Sequence, residues 1–133
     1  MQSRPLPTHD SRALLVDAHL AHGEQLADQL SRAGFKTDFA VSWGAARAAL
    51  GANYYHSCVV YADLGRGADL QQLGDLRRSA LRVWIIVLTD LETQDTLDLA
   101  HRQGVDAVLS VPFSVQDLTS RLAAFALRSR PTS

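Results

Sequence analysis

Along this chain the hydrophobic period switches repeatedly between that of a strand and that of a helix. Ala13-Leu14-Leu15-Val16 is a short apolar run closed by Asp17, the pattern of a strand covered on both faces. Leu26, Ala27, Leu30 and Ala33 then recur at helical spacing within residues 20–33, and Gly34 ends the helix. Phe35 to Val41 alternates as a second strand. Ser42 is placed to cap a short helix through Ala45, Ala46, Ala49 and Leu50, which Gly51 closes. Cys58-Val59-Val60-Tyr61-Ala62 predicts a third strand, and Leu70, Leu73, Leu76 and Arg77 a third helix with the weak helix former Gly74 in its middle.

Trp84 to Thr89, rich in β-branched residues, gives the strongest strand signal in the chain. A fourth helix is expected from Thr93 to Gln103, ending at Gly104, and a fifth strand at Ala107-Val108-Leu109-Ser110. Ser114 with Asp117 opens a fifth helix in the manner of a capping box, continued by Leu118, Leu122, Ala123 and Leu127. Five strands alternating with five helices predict an α/β doubly wound, flavodoxin-like fold: a five-stranded parallel sheet in the order 2-1-3-4-5, covered on both faces. The functional crevice of such a sheet lies at the carboxyl ends of its strands. Residues 1–11 read as a disordered lead-in, 12–129 as the folded domain and 130–133 as a tail or the start of a linker.

Composition changes this picture little. The 133 residues suit one domain, and 47% hydrophobic with 20% charged residues is ordinary for a globular protein. A net charge of −1 gives no basic patch argument for nucleic acid. Cys58 is the sole cysteine, which excludes an internal disulfide and a multi-cysteine metal site; it reads as a small buried hydrophobe. No apolar run reaches the ~20 residues of a membrane span. The first residues hold no apolar stretch of signal-peptide length, so the expected location is cytoplasmic.

Several residues in this frame resemble the landmarks of response regulator receiver domains. They are Leu14-Leu15-Val16-Asp17 at strand one, Leu88-Thr89 closing strand four, Gly104-Val105-Asp106-Ala107 entering strand five, and Pro112-Phe113-Ser114 after it. The resemblance runs from about Ala13 to Arg128, nearly the whole folded part. It implies two-component signal transduction. A receiver takes a phosphoryl group from a histidine kinase onto an aspartate at the end of strand three. Acids after strand one hold Mg²⁺, a lysine after strand five neutralises developing charge, and a Ser or Thr hydroxyl binds the phosphoryl oxygens.

The pocket departs from that pattern. Asp17 and Thr89 match, but the second acid position is Ala18, the acceptor position is Tyr61 and the lysine position is Val111. The aromatic switch of strand five is replaced by Val108. A phenol with an ordinary pKa of about 10 is neutral near pH 7 and needs a general base, for which Asp17 is the evident candidate. Tyr61 is also expected to fill the volume of the metal and phosphoryl group. A lysine there, deprived of carboxylate partners, would be a costly unpaired cation, and Val111 removes that cost. The expectation is a pseudo-receiver: not an enzyme, without cofactor, working by protein–protein interaction, with no histidine kinase as phosphodonor.

The alternative is a functional phosphoacceptor at Asp63, two residues on and therefore on the same strand face, using Mg²⁺. Asp17, Asp63 and Asp90 all belong at that sheet edge and are the carboxylates a metal would use, although no metal is expected. A flavin or nucleotide site would need a glycine-rich turn after strand one, and Asp17 to Gly23 holds only the late Gly23. His19 and His22 read as surface histidines without a zinc pattern, His56 as lying at the exposed start of strand three, and His101 as solvated. Trp43 and Trp84 read as packing anchors. By the resemblance, partner proteins, a second copy in a homodimer among them, are met on the face of helix four, strand five and helix five, with Leu97, His101, Val108, Leu118, Leu122 and Phe125. Neither a membrane nor direct nucleic-acid contact is expected.

Overall fold

The computed structural model describes residues 12–90 and 92–131; the expected disordered lead-in 1–11 and the last two residues lie outside them. The elements run β1 (Ala13–Val16), α1 (Leu20–Arg32), β2 (Thr37–Ala40), α2 (Trp43–Ala52) and β3 (Ser57–Tyr61). They continue with α3 (Gly67–Ser79), β4 (Trp84–Thr89), α4 (Gln94–Arg102), β5 (Ala107–Ser110) and α5 (Val115–Ala126). All five strands are parallel, in the order β2-β1-β3-β4-β5, as the hydrophobic pattern predicts.

Strand periodicity splits the core into two layers. Leu14 and Val16, with Cys58, Val60, Ile85 and Val87, pack beneath α2, α3 and α4 through Ala46, Leu73, Leu76 and Ala100. Leu15, Val59, Trp84, Ile86 and Leu88 face the other way and meet Leu26 and Leu30 of α1 and Leu118, Leu122 and Phe125 of α5. Trp84 stacks on Phe125, ring centroids 4.2 Å apart, which makes it the packing anchor expected. Cys58 is fully buried, and burial pushes its thiol up to about 12.

The caps follow local chemistry. Ser42 accepts from the Ala45 amide at 3.0 Å, Ser114 from Asp117 at 2.9 Å, and Thr93 forms a reciprocal capping box with Thr96. Gly34 and Gly104 end α1 and α4 at φ of +101° and +91°, a region that suits glycine. Gly51, expected to close α2, instead lies within it, and the helix continues to Ala52. Gly74 lets α3 approach the α4–β5 turn: a Cβ there would stand 2.3 Å from the Gln103 Oε1.

Arg77 and then His56 are buried polar residues at the amino-terminal edge of the sheet. Arg77 spans the α3–β4 loop and the start of β5, donating to the Val83 carbonyl at 2.7 Å, the Ala80 carbonyl at 2.8 Å, the Gly104 carbonyl at 3.0 Å and Asp106 at 2.8 Å. Arg130 donates to the same Asp106 carboxylate at 2.9 Å, so the folded unit extends into the segment expected to be tail. His56 is the second, and here the sequence reading is corrected. It is 5% exposed, because the end of α5 packs over it; its Nε2 donates to the Phe125 carbonyl, and Tyr54 reaches its Nδ1 at 3.4 Å. Among the described residues no helix is long and apolar enough to cross a membrane.

Candidate functional site

The carboxyl ends of the strands surround a cavity of about 680 Å³. Its walls are Asp17, Ala18 and His19 after β1, Trp43 at the start of α2, Tyr61 at the end of β3 with Ala62 and Asp63 following, Arg66 and Asp69 around the start of α3, and Asp90 after β4. Of the residues the sequence assigns to a degenerate pocket, Asp17, Ala18 and Tyr61 meet here, together with Asp63. Thr89 is buried at the end of β4, register-paired with Ser110. Val111 lies aside, in an adjoining groove of about 280 Å³ with His22, Leu26, Pro112 and Phe113. Its amide donates to the Thr89 carbonyl at 2.9 Å, and the Val111–Pro112 peptide is cis.

Asp17 is 1% exposed, and each oxygen of its carboxylate accepts a hydrogen bond. One oxygen accepts from the His19 amide at 2.9 Å, and the other accepts from the His22 Nδ1 at 2.6 Å. His22 is at the surface, as expected, but its ring is held: it binds Asp17 and stands edge-on to the Tyr61 ring at 5.6 Å. His19 is more exposed, with its ring 3.4 Å from the same carboxylate. The sequence reading missed this pair because the strand–turn–helix geometry that folds His22 back over Asp17 is not visible in residue spacing.

Tyr61 occupies the end of β3 but walls the cavity instead of filling it. Its ring is half-buried, and its hydroxyl donates to Asp90 across the β3–β4 edge. The partner of the phenol is thus Asp90 and not Asp17. Burial pushes the Tyr61 phenol up to about 12, and the hydrogen bond to Asp90 and the charges of Asp90 and Asp17 act in the same direction. The neutral phenol is a hydrogen-bond donor and a poor nucleophile.

Asp63 is exposed and braces a turn, accepting from the Gly65 amide at 2.9 Å while its own amide donates to Asp69 at 2.8 Å. The site does not fit Mg²⁺ in the manner the resemblance implies. Both Asp17 oxygens are already engaged, Ala18 offers no side-chain oxygen, and the Tyr61 hydroxyl is committed to Asp90. Among the described residues, no three His, Cys, Asp or Glu side chains are grouped to hold a metal ion.

On the face of α4, β5 and α5, His101 is exposed, and Leu97 and Val108 are half-buried. Leu118, Leu122 and Phe125, expected on that face, are 0%, 1% and 7% exposed and belong to the core. Their helical spacing marks the stripe that α5 turns toward the sheet, so they are not available to a partner.

No protein-family model matches the sequence, and no curated protein matches it closely enough to count as a relative. Solved structures do. A response regulator protein from Burkholderia pseudomallei, solved with a phosphorylated aspartic acid, a calcium ion and citrate, is 25% identical, with a TM-score of 0.73 over 88% of this chain and 69% of that one. A Francisella response regulator receiver domain is 21% identical, with a TM-score of 0.76 over 89% of this chain and 98% of that one. A third structure, described as a pilus assembly-related protein of Burkholderia pseudomallei, is 18% identical, with a TM-score of 0.80 over 98% and 100% of the two chains. With its sheet order, its crevice and these neighbours, the chain has the fold of the response regulator receiver domains.

Proposed function

We propose that this chain is a receiver-like signalling module that acts by binding another protein, without phosphorylation. The observation that carries the reading is Tyr61: where a receiver presents its acceptor carboxylate, this chain presents a phenol bound to Asp90 and held neutral. The surroundings agree. Asp17 is taken by His22 and the His19 amide, and Val111 supplies no cation to meet phosphoryl charge. On this reading the chain is not an enzyme, needs no Mg²⁺, takes nothing from a histidine kinase and works in the cytoplasm. Leu97, His101 and Val108 are the part of the α4–β5 surface left for a partner, whether a different protein or a second copy. The neighbour matched end to end is described as related to pilus assembly, and a role in assembling proteins suits a site without phosphoryl chemistry.

A second reading rests on Asp63, which lines the same cavity as Asp17 and would be the phosphoacceptor with Mg²⁺. Incubation with Mg²⁺ and acetyl phosphate followed by intact-mass measurement separates the two. The parent mass should not change. A phosphate-sized increment that disappears in Asp63→Asn would establish the second reading and overturn the first.

A further inference from the structure

The exposed large apolar side chains gather at the two ends of the sheet. At the carboxyl end, Leu20 is 55% and Val41 46% exposed. They lie beside the cavity by chain position, since Leu20 follows His19 and Val41 follows Ala40, whose carbonyl accepts from the Asp17 amide at 3.0 Å. At the amino end, Tyr54 is 53% and Leu81 50% exposed, and both line a groove of about 390 Å³ with Arg78 and Arg82. Leu127, just past α5, is 75% exposed at the same end.

The two ends carry opposite charge. Asp63, Asp69 and Asp90 at the cavity accept hydrogen bonds only from the neutral donors Gly65, Asp63 and Tyr61, and none forms an ion pair among the described residues. At the amino end Arg78 pairs with Asp75 of its own helix, while Arg82 has no ion pair among the described residues. Arg77 and Arg130 share the single carboxylate of Asp106 there. Helix dipoles explain part of this polarity, because parallel strands place every helix N-terminus at the carboxyl end, as with Asp69 in the first turn of α3. They do not explain Asp63, Asp90 or Arg82, which stand in loops. A net charge of −1 thus conceals a chain with an acidic, concave end and a basic, aromatic end.

We infer that copies of this chain associate head to tail, with the arginine-flanked Tyr54–Leu81 end of one copy seated on the acidic cavity of the next. The inference rests on the protein-binding reading above and names the partner as a second copy. The contact is heterologous, joining unlike surfaces, so each bound copy leaves one end of each kind open and the assembly can grow. The charge match supplies orientation and encounter rate, and Leu20, Val41, Tyr54 and Leu81 supply the apolar area. The cavity of a phosphorylated receiver holds an anion; this one, lined by Asp17, Asp63, Asp69 and Asp90 against the one arginine Arg66, suits a second guanidinium. The α4–β5 surface remains open to a different protein.

Sedimentation velocity tests the inference, using the parent, an acid-end variant (Asp63→Lys with Asp90→Lys) and a basic-end variant (Arg78→Ala with Arg82→Ala). Circular dichroism is recorded on each to establish folding. The parent should form concentration-dependent oligomers at low ionic strength that dissociate as salt rises. Each variant alone should sediment as a monomer. Their equimolar mixture should form a dimer that grows no further, because only one complementary pair of ends is intact, and two misfolded variants could not produce that result. A parent monomeric at every concentration, a mixture that stays monomeric, or oligomers that survive either set of substitutions would each overturn it. Failure here with no phosphate uptake in the acetyl phosphate experiment would leave the protein-binding reading standing with a different partner.

Discussion

Replacing Tyr61 tests the site directly, because its ring and its hydroxyl contribute separately. Tyr61→Phe keeps the packing against His22 and the α1–α5 layer but deletes the hydrogen bond to Asp90. A hydrogen bond to a charged group contributes about 1.5–3 kcal/mol, and an exposed acceptor that water can reach recovers part of it, so the expected loss is ~1 kcal/mol. For a domain of this size that lowers the Tm by roughly 3–6 °C. Tyr61→Ala also removes the ring. Full burial of an aromatic would make that loss about 3–5 kcal/mol, and half-burial brings it to ~2–3 kcal/mol. Tyr61→Asp should be the least stable of the three, since it sets a carboxylate between Asp17 and Asp90 with no lysine to offset it. Urea and thermal unfolding followed by circular dichroism give the order parent, Phe, Ala, Asp. If Phe and Ala both melt with the parent, the hydroxyl makes no effective bond to Asp90 and the description of the site is wrong.

Alkaline pH should destabilise the fold in a defined direction. Tyr55, through burial and its hydrogen bond to Asp38, and Tyr61 are both raised from 10.0 to about 12, and Cys58 from 9.0 to about 12, by burial. The unfolded chain releases these protons first, so their contribution is complete below pH 9 and is lost as pH rises toward 12. Urea midpoints should fall across that window, and the tyrosinate absorbance of Tyr55 and Tyr61 should appear only near its upper end; a midpoint flat from pH 9 to 12 would contradict the assignment. Arg77→Met should cost about 3–5 kcal/mol in urea unfolding, because it leaves Asp106 and the Val83, Ala80 and Gly104 carbonyls short of their shared donor. A loss below 1 kcal/mol would show that water replaces the guanidinium freely.

Some of this protein is legible in its sequence alone. β1, β4 and β5 fall on their apolar runs, and Ser42, Thr93 and Ser114 stand at the helix starts, because period and capping depend on residues close in sequence. Alternating elements also limit the sheet to few topologies. The substituted pocket positions, Ala18, Tyr61 and Val111, were likewise readable as residue types at the ends of recognisable strands.

Partnership was decided by the tertiary structure. His22 and His56 look alike in sequence, yet one covers Asp17 and the other is sealed beneath α5 against the Phe125 carbonyl. Tyr61 could have turned to Asp17 and turned instead to Asp90, which the β3–β4 register brings beside it. The apolar stripe of α5 reads the same whether it faces a sheet or a partner, and only the packed layer shows that Leu118, Leu122 and Phe125 are already covered. The polarity between the two ends of the sheet arises in the same way: its charges are scattered through the chain, and parallel strands collect them. Local pattern selects elements, while side-chain chemistry depends on which distant groups the fold makes neighbours.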